Sequence, residues 1–148
     1  MSSPLVNDLR RVEVLAGLEE EHLEWLAATG QLFRYEPGEP VFHVGDPSDA
    51  MFVILEGSGT LRVAGERIAV RQGDVIDIPP GPEYPHQLIN TSNAPLKYLS
   101  ISTQEFPEVC EYPDSGKYLA FTPVAGPLLE KGRMHRPDTD LDYWDGEP

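Results

Sequence analysis

Residues 73–90, with the sequence GDVIDIPPGPEYPHQLIN, constrain the fold of this chain more than any other stretch. The stretch begins with a Gly-Asp pair, continues as an apolar extended segment, and breaks at Pro79-Pro80-Gly81. A second extended segment begins at His86 and leads to Asn90. This order predicts a strand, a sharp turn and a second strand, with a histidine placed just after the turn. Such a histidine stands on a rigid support from which it can reach a pocket.

The length and composition favour a single β domain. A chain of 148 residues is long enough for one well-buried core and short for two. Its 15 prolines and 13 glycines indicate many turns, which favours an all-β barrel or sandwich over a helical bundle.

The charge balance argues against two classes of partner. The chain has 25 acidic and 11 basic side chains, for a formal net charge of -14. Such a surface repels phosphate backbones and anionic lipid headgroups, so we expect neither nucleic acid nor a membrane as a partner. The single cysteine, Cys110, indicates a reducing compartment, and residues 1–15 do not resemble a signal peptide. The sequence therefore predicts a cytoplasmic protein.

Two helices are predicted before the first strand. Leu5, Leu9, Val12 and Leu15 recur at three- and four-residue spacing, which predicts one amphipathic helix over residues 5–15. A second helix is predicted from about residue 18 to residue 29, because three glutamates begin it and Gly30 can end it. Its expected buried stripe consists of Leu23, Leu26, Ala27 and one side of Trp25.

About eight short strands are expected after residue 30. Alternating or continuous apolar runs place them at 31–35, 41–44, 51–56, 60–63, 67–71, on both sides of the 79–81 turn, and at 96–103. In the strand at 67–71, Ile68 and Val70 are predicted to face the core. The expected division is a helical segment at 1–30, a barrel at 31–121 and an acidic extension at 122–148. That extension contains Tyr143-Trp144, which predicts either a solvated tail or a segment docked on the barrel or on a neighbouring subunit.

The central stretch resembles the second motif of the cupin superfamily. The matching positions are Gly73, Asp74, Pro79, Gly81, His86 and Asn90, although four residues separate Gly81 from His86 where the family usually has two. The C-terminal part also resembles small single-domain cupins. The resemblance implies an all-β fold, a double-stranded β-helix (cupin or jelly-roll) barrel, with one or two short N-terminal helices and an acidic C-terminal tail. The fold alone does not define an activity.

The same resemblance suggests a metal site. Metal-dependent cupins take His-x-His and a Glu from a first motif, whose positions fall on His43, Gly45 and Ala50 here. Two of the four usual ligands, His43 and His86, are therefore kept, and they imply a site for a divalent metal such as Fe, Mn, Ni or Zn. Asp46 and Asp49 could supply oxygen ligands, but they also suit a plain turn. The alternative is a pair of hydrogen-bonded pocket or core histidines.

Residues 14–63 resemble a second family, the cyclic-nucleotide-binding domains. The resemblance rests on residues 18–20, 35–38, 45–47 and 53–57. Those domains share the barrel but bind a phosphodiester with an arginine and the backbone N–H groups of a short helix. Residues 72–96 contain neither Lys nor Arg and show no helix pattern, so the sequence disfavours a nucleotide ligand.

Three classes of function remain open from sequence. The first is a small-molecule-binding cupin with His43 and His86 in its pocket, with or without a metal, in which His86 could also serve in acid–base chemistry. The second is a non-catalytic ligand-binding or sensor barrel that has lost the metal site. The third is an interaction protein that works through its acidic tail. By analogy with other cupins we expect a homodimer.

Overall fold

A computed structural model describes residues 3–39, 50–103, 105, 107–121, 133–136 and 145–146. The chain divides into two compact units, Met1–His43 with Asp49–Thr103, and Val44–Ser48 with Gln104–Pro148. The first unit contains both α-helices and seven of the ten described strands, and the second contains a 3-10 helix (Pro113–Ser115) and the other three strands.

The N-terminal segment forms α1 (Pro4–Arg10), a short 3-10 helix (Glu13–Leu15) and α2 (Glu20–Thr29). Ser3 caps α1 because its hydroxyl oxygen accepts a hydrogen bond from the Val6 N–H at 3.2 Å. The prediction of one helix over residues 5–15 was therefore wrong. The Arg11 N–H bonds to the Asp8 carbonyl and the Val12 N–H to the Leu9 carbonyl, and these three-residue bonds tighten and end the helix.

The first unit is built from seven strands among the described residues, and they are mostly short. They are β1 (Gln31–Tyr35), β2 (Ala50–Glu56), β3 (Ser58–Val63), β4 (Glu66–Arg71), β5 (Val75–Ile78), β6 (His86–Ile89) and β7 (Leu96–Ile101). Their bounds confirm the predicted strands within one or two residues, except that the segment 41–44 lies outside the described residues.

The described strands of this unit form two antiparallel sheets. One has the order β1-β7-β2-β5 and is called the helix-covered sheet below; the other has the order β4-β3-β6 and is called the exposed sheet. The chain passes from the first to the second at Gly57, where φ is +82° and an added Cβ would lie 2.2 Å from the Pro95 carbonyl oxygen. Glycine is therefore needed at this crossing for both backbone conformation and space.

The inner faces of the two sheets share one apolar core. Its buried members are Tyr35, Phe52, Ile54, Leu61, Val70, Ile78, Leu88, Leu96 and Tyr98. Because these residues come from both sheets, the sheets pack face to face as the two walls of a barrel, and the all-β, double-stranded β-helix prediction is confirmed.

A second core joins the helices to the outer face of the helix-covered sheet. It contains Val6, Leu9, Val12, Leu15, Leu23 and Leu26 from the helical segment, and Val53, Leu55 and Leu99 from β2 and β7. Trp25 does not belong to it: 61 % of its surface is exposed, so its predicted place in the buried stripe was wrong. Ile68 lies opposite the inward residue Leu61, on the predicted side of the strand, but 46 % of its surface is exposed because β4 is the outermost described strand on its side.

A tight hairpin joins β3 to β4. Ala64 and Gly65 both have positive φ, at 48° and 85°, which is the conformation of a type I′ turn. The Ala64 N–H donates to the Pro85 carbonyl at 3.0 Å, so this turn is tied to the segment that precedes β6.

The second unit contains a sheet that the sequence reasoning largely missed. Its described strands are β8 (Glu108–Tyr112), β9 (Lys117–Phe121) and β10 (Arg133–His135), in the order β10-β9-β8. Cys110 and Leu119 are buried together beside Tyr112, so Cys110 is a packing residue. The predicted acidic tail falls mostly outside the described residues. In the part of the chain that the structure describes, no helix has the length and apolar character needed to cross a membrane.

Candidate functional site

His86 begins β6 on the inner side of the barrel. It lies directly opposite Val63 of β3, and Leu88, two residues further along the same face, is a member of the inner core. The His86 ring contacts Phe52 of the facing sheet, with ring centroids 5.7 Å apart and a tilt of 58°. Gln87 points to the other face, as the alternation of a strand requires. The side chain of His86 is half-buried, so it joins the core without being enclosed by it.

A single hydrogen bond determines which ring nitrogen of His86 carries the hydrogen in the neutral form. His86 Nδ1 lies 3.0 Å from the Tyr84 carbonyl oxygen. A carbonyl oxygen can only accept, so Nδ1 carries the hydrogen and donates it. In the neutral ring, Nε2 then holds the lone pair that can accept a hydrogen bond or bind a metal. Metal-ligating histidines are commonly oriented by this type of bond, and so are histidines that bind no metal.

Aromatic rings continue from His86 across the inner wall. Phe52 meets Tyr98 edge-on at 5.6 Å, and Tyr98 in turn stacks on Phe33 at 5.3 Å and on Tyr35 at 5.9 Å. This row of aromatic rings was not predicted from the sequence. A signal was present, because Phe33 and Tyr35 alternate along β1, but their partners on β2 and β7 are distant in sequence.

Asn90, which completes the central motif, has a structural role. Its amide group donates to the carbonyl oxygens of Tyr35 and Ala94 at 3.1 and 2.9 Å. Its side-chain oxygen accepts from the N–H and hydroxyl groups of Ser92 at 3.1 and 2.9 Å. Asn90 is 3 % exposed and therefore joins the end of β6 to β1 of the facing sheet. Its presence supports the barrel and is no argument for a metal.

Other positions of the motif also serve the backbone. The Asp74 carboxylate accepts the Arg71 N–H at 2.8 Å and closes the turn between β4 and β5. Gly81 has φ +134°, a conformation that favours glycine, within the Pro-rich turn before His86. Residues 79–85, all of them described, contain no helix.

The second predicted ligand, His43, lies outside the described residues, and so do Asp46 and Asp49. Ala50, at the position of the family's glutamate, begins β2 and has no ligating atom. Within the described ranges, no group of three or more His, Cys, Asp and Glu side chains could hold a metal ion. Of the predicted metal ligands, only His86 is therefore among the described residues, and one ligand does not make a metal site. We derive no chemical step through a metal.

Two further histidines are described, His22 in the first unit and His135 in the second. His22 is exposed on α2, with 60 % of its side-chain surface accessible. His135 stacks on Tyr118 in the second unit at 5.5 Å.

Comparison with known protein families identifies the barrel. The family model described as "Cupin domain" matches residues 31–102, the segment that contains all the strands of the two facing sheets. Residues 31–102 are a cupin domain. The prediction made from residues 73–90 is thereby confirmed.

Solved structures share the cupin barrel at low sequence identity. A sugar phosphate isomerase of the cupin superfamily from Silicibacter pomeroyi has a TM-score of 0.60 and 22 % identity, covering 77 % of this chain and 70 % of that one. A proposed sugar phosphate isomerase from Acidithiobacillus ferrooxidans has a TM-score of 0.61 and 20 % identity, covering 75 % and 68 %. At these identities the likeness shows the fold and does not assign an activity.

A sequence relative extends the cupin similarity without naming a function. The uncharacterized protein MJ1618 of Methanocaldococcus jannaschii is 29 % identical over 98 residues, which is 66 % of this chain and 71 % of that protein. Among the described residues of the cupin domain, His86 is the side chain of the inner wall that stands out for chemistry. Apart from Ser100, which lies opposite Phe52, the other described residues of that wall are apolar or aromatic.

Proposed function

We propose that this chain is a small-molecule-binding cupin whose ligand site is centred on His86 at the inner wall of the barrel. The observation that carries the proposal is the bond from His86 Nδ1 to the Tyr84 carbonyl oxygen, which leaves Nε2 as the ring nitrogen for a ligand. The half-buried position of the ring beside Phe52 supports a binding role, because a ligand there would be partly removed from water.

A competing explanation is that His86 only packs against Phe52 and holds the turn through its bond to Tyr84. Chemical modification separates the two explanations. Diethyl pyrocarbonate reacts with an unprotonated imidazole nitrogen that a small molecule can reach. We expect the native protein to be modified at His86 at a rate comparable to that of exposed His22, as measured by peptide mass spectrometry. If His86 reacts only after unfolding while His22 reacts readily, Nε2 is closed to small molecules and the proposal is wrong.

His43 is proposed as the second imidazole of the site, on the basis of its position in the first cupin motif. The pair could hold a divalent metal such as Fe, Mn, Ni or Zn, which would supply Lewis-acid or redox chemistry. A metal-dependent enzyme and a non-catalytic ligand-binding or sensor barrel are the two forms that this function can take. Two histidines fall short of the three or four protein ligands of most enzymatic sites, which favours the second form.

Metal content distinguishes these two forms. Elemental analysis of the purified protein is compared with that of the His43→Ala, His86→Ala and His22→Ala variants. Stoichiometric metal that is lost in the first two variants and kept in the third would support the metal-dependent form. Metal-free protein whose melting temperature does not change with Fe, Mn, Ni or Zn would exclude it and leave the ligand-binding barrel.

The remaining partner predictions are proposals with direct measurements. A homodimer is tested by sedimentation equilibrium. The cytoplasmic location, inferred from the single cysteine, is tested by cell fractionation. An interaction role for the acidic tail is tested by deleting residues 137–148. The role predicts that the shortened protein no longer captures its partner, while the barrel unfolds at the same temperature as before.

A further inference from the structure

The ligand site at His86 has a wall whose electrostatic character is unusual for a chain of such high charge. Among the described residues, the buried polar side chains are Asn90 and Ser100, and no charged side chain is buried. Asn90 is already satisfied by Tyr35, Ser92 and Ala94. Ser100 lies opposite Phe52 and is uncharged, so the described wall beside His86 is apolar and aromatic except for this one hydroxyl group.

The cations of the barrel lie away from this wall. Up to residue 103, the Lys and Arg residues are Arg10, Arg11, Arg34, Arg62, Arg67, Arg71 and Lys97. Those near the helices pair with carboxylates: Arg10 with Glu20, Arg11 and Lys97 with Asp8, and Arg34 with Glu36.

The other three arginines belong to the exposed sheet. Arg62 alternates with the inward residues Leu61 and Val63, so it lies on the outer face, and Arg67 is directly opposite it. Arg71 follows the inward residue Val70 and is exposed. Residues 40–49, which carry His43, contain neither Lys nor Arg.

An anionic ligand would therefore be poorly stabilised at this wall. Moving a carboxylate or phosphate next to His86 and Phe52 removes it partly from water, and the described side chains of the wall include no Lys or Arg to replace the lost hydration. Flat apolar molecules, by contrast, gain contact area and favourable ring geometry against these side chains. His86 Nε2 then accepts one hydrogen bond, which requires a donor on the ligand.

We infer that the ligand of this site is an uncharged, planar, largely apolar molecule with a hydroxyl or N–H donor, and is neither a sugar phosphate nor a nucleotide. The inference rests on the proposed function and adds the chemical class of the ligand. It separates this barrel from the two structural relatives whose names refer to sugar phosphates.

A matched set of small probes tests the inference on the full chain. The probes are 4-methylphenol, toluene, cyclohexanol, benzoate and phenyl phosphate, and binding is followed by the NMR signals of the His86 ring. We expect 4-methylphenol to bind at least about tenfold more tightly than either anion, because the anions bring an unpaired charge to the wall. We also expect it to bind more tightly than cyclohexanol, which has the donor without the flat ring.

A variant at His86 tests the hydrogen bond separately. His86→Phe keeps an aromatic ring and removes Nε2, so the affinity for 4-methylphenol should fall to that for toluene, while toluene binding changes little. His22→Phe is the matched control and should change neither affinity. Should His86→Phe fail to fold, His86→Leu serves the same purpose and is expected to give the same loss for 4-methylphenol.

The outcomes distinguish an error in the ligand class from an error in the His86 site itself. Benzoate or phenyl phosphate shifting the His86 signals with an affinity equal to that of 4-methylphenol would overturn the ligand class and leave the His86 site standing. If no probe shifts the His86 signals, while the signals of exposed His22 report a folded protein, the site itself is wrong. Equal binding of 4-methylphenol to wild type and His86→Phe would remove the donor requirement.

Discussion

The two sheets of the barrel differ in how many of their faces are covered. The helix-covered sheet is buried on both sides: Phe52 and Ile54 of β2 face the barrel core, whereas Val53 and Leu55 face the helices. The exposed sheet is buried on one side only. Leu61 and Leu88 face the core, and no described residue of its outer face is buried.

This difference explains the sequence of each strand. β2 is apolar without a break from Met51 to Leu55, because each of these positions meets one of the two cores. β3, by contrast, alternates Leu61 and Val63 with Thr60 and Arg62. It also indicates where stability resides. Apolar burial should dominate the helix-covered sheet, while turns and tertiary hydrogen bonds should matter more in the exposed sheet.

The largest effect is expected from truncating the helix side of the helix-covered sheet. Leu99 of β7 is 0 % exposed within the second core. Leu99→Ala should lower the free energy of unfolding by about 2–5 kcal/mol, because it removes buried methyl groups and leaves a cavity. Urea denaturation measures this. The matched change in the exposed sheet is Ile68→Ala, with 46 % of Ile68 exposed, and should cost less than about 1 kcal/mol. Equal losses at the two positions would contradict the comparison.

The next effect concerns the bond between the sheets. Asn90→Ala removes the side-chain donor to the buried Tyr35 carbonyl oxygen and leaves that group without this hydrogen bond, whereas the Ala94 carbonyl oxygen keeps the Ser92 hydroxyl as a donor. We expect a loss of about 2–3 kcal/mol in the free energy of unfolding. Asn93→Ala, at an exposed position of the same turn, is the control and should be nearly neutral. A neutral Asn90→Ala would show that the two sheets are joined by apolar packing alone.

A third prediction concerns the charged contact beneath α1. Lys97 Nζ lies 2.7 Å from Asp8 Oδ2, and both side chains are about three-quarters buried. A double-mutant cycle with Asp8→Asn and Lys97→Met should give a coupling free energy of about 1 kcal/mol. The control pair, Arg34 and Glu36, is more than half exposed, so its coupling should be less than about 0.5 kcal/mol. Similar coupling in both cycles would mean that coverage by the helix does not strengthen the ion pair.

The sequence was a good guide to the barrel because local patterns determine strands and turns. The alternation in β3 and β4, the hairpin at Ala64-Gly65 and the Pro-Gly turn before His86 each depend on nearby residues. The short strands β8 and β10 were missed for the same reason. β8 mixes glutamates with apolar residues, and β10 has three residues, so neither gives a periodic signal.

The candidate site was only half predictable. His86 follows a local turn signal, and its inward direction follows from strand alternation. The aromatic wall depends on register: Phe33 lies opposite Tyr98, and Phe52 meets His86 from the other sheet. Such cross-strand and cross-sheet contacts join residues far apart in sequence, and a single sequence does not specify the register. The exposure of Trp25 was missed because helical periodicity indicates which side of the helix a residue lies on, but not whether another element packs against that side.

The smallest effect is a stabilising change in the exposed sheet. Ala64 adopts φ 48°, which is costly for an alanine, while its N–H is held by the Pro85 carbonyl. Ala64→Asn should raise the free energy of unfolding by about 0.5–1 kcal/mol, because Asn-Gly suits a type I′ turn and keeps the backbone donor. Thermal and urea denaturation measure the gain. Ala69→Asn, on the outer face of β4 and exposed, is the control and should be neutral or slightly destabilising because asparagine is disfavoured in strands. If Ala64→Asn gives no gain, the turn does not limit the stability of the exposed sheet, and the contrast with the helix-covered sheet rests on burial alone.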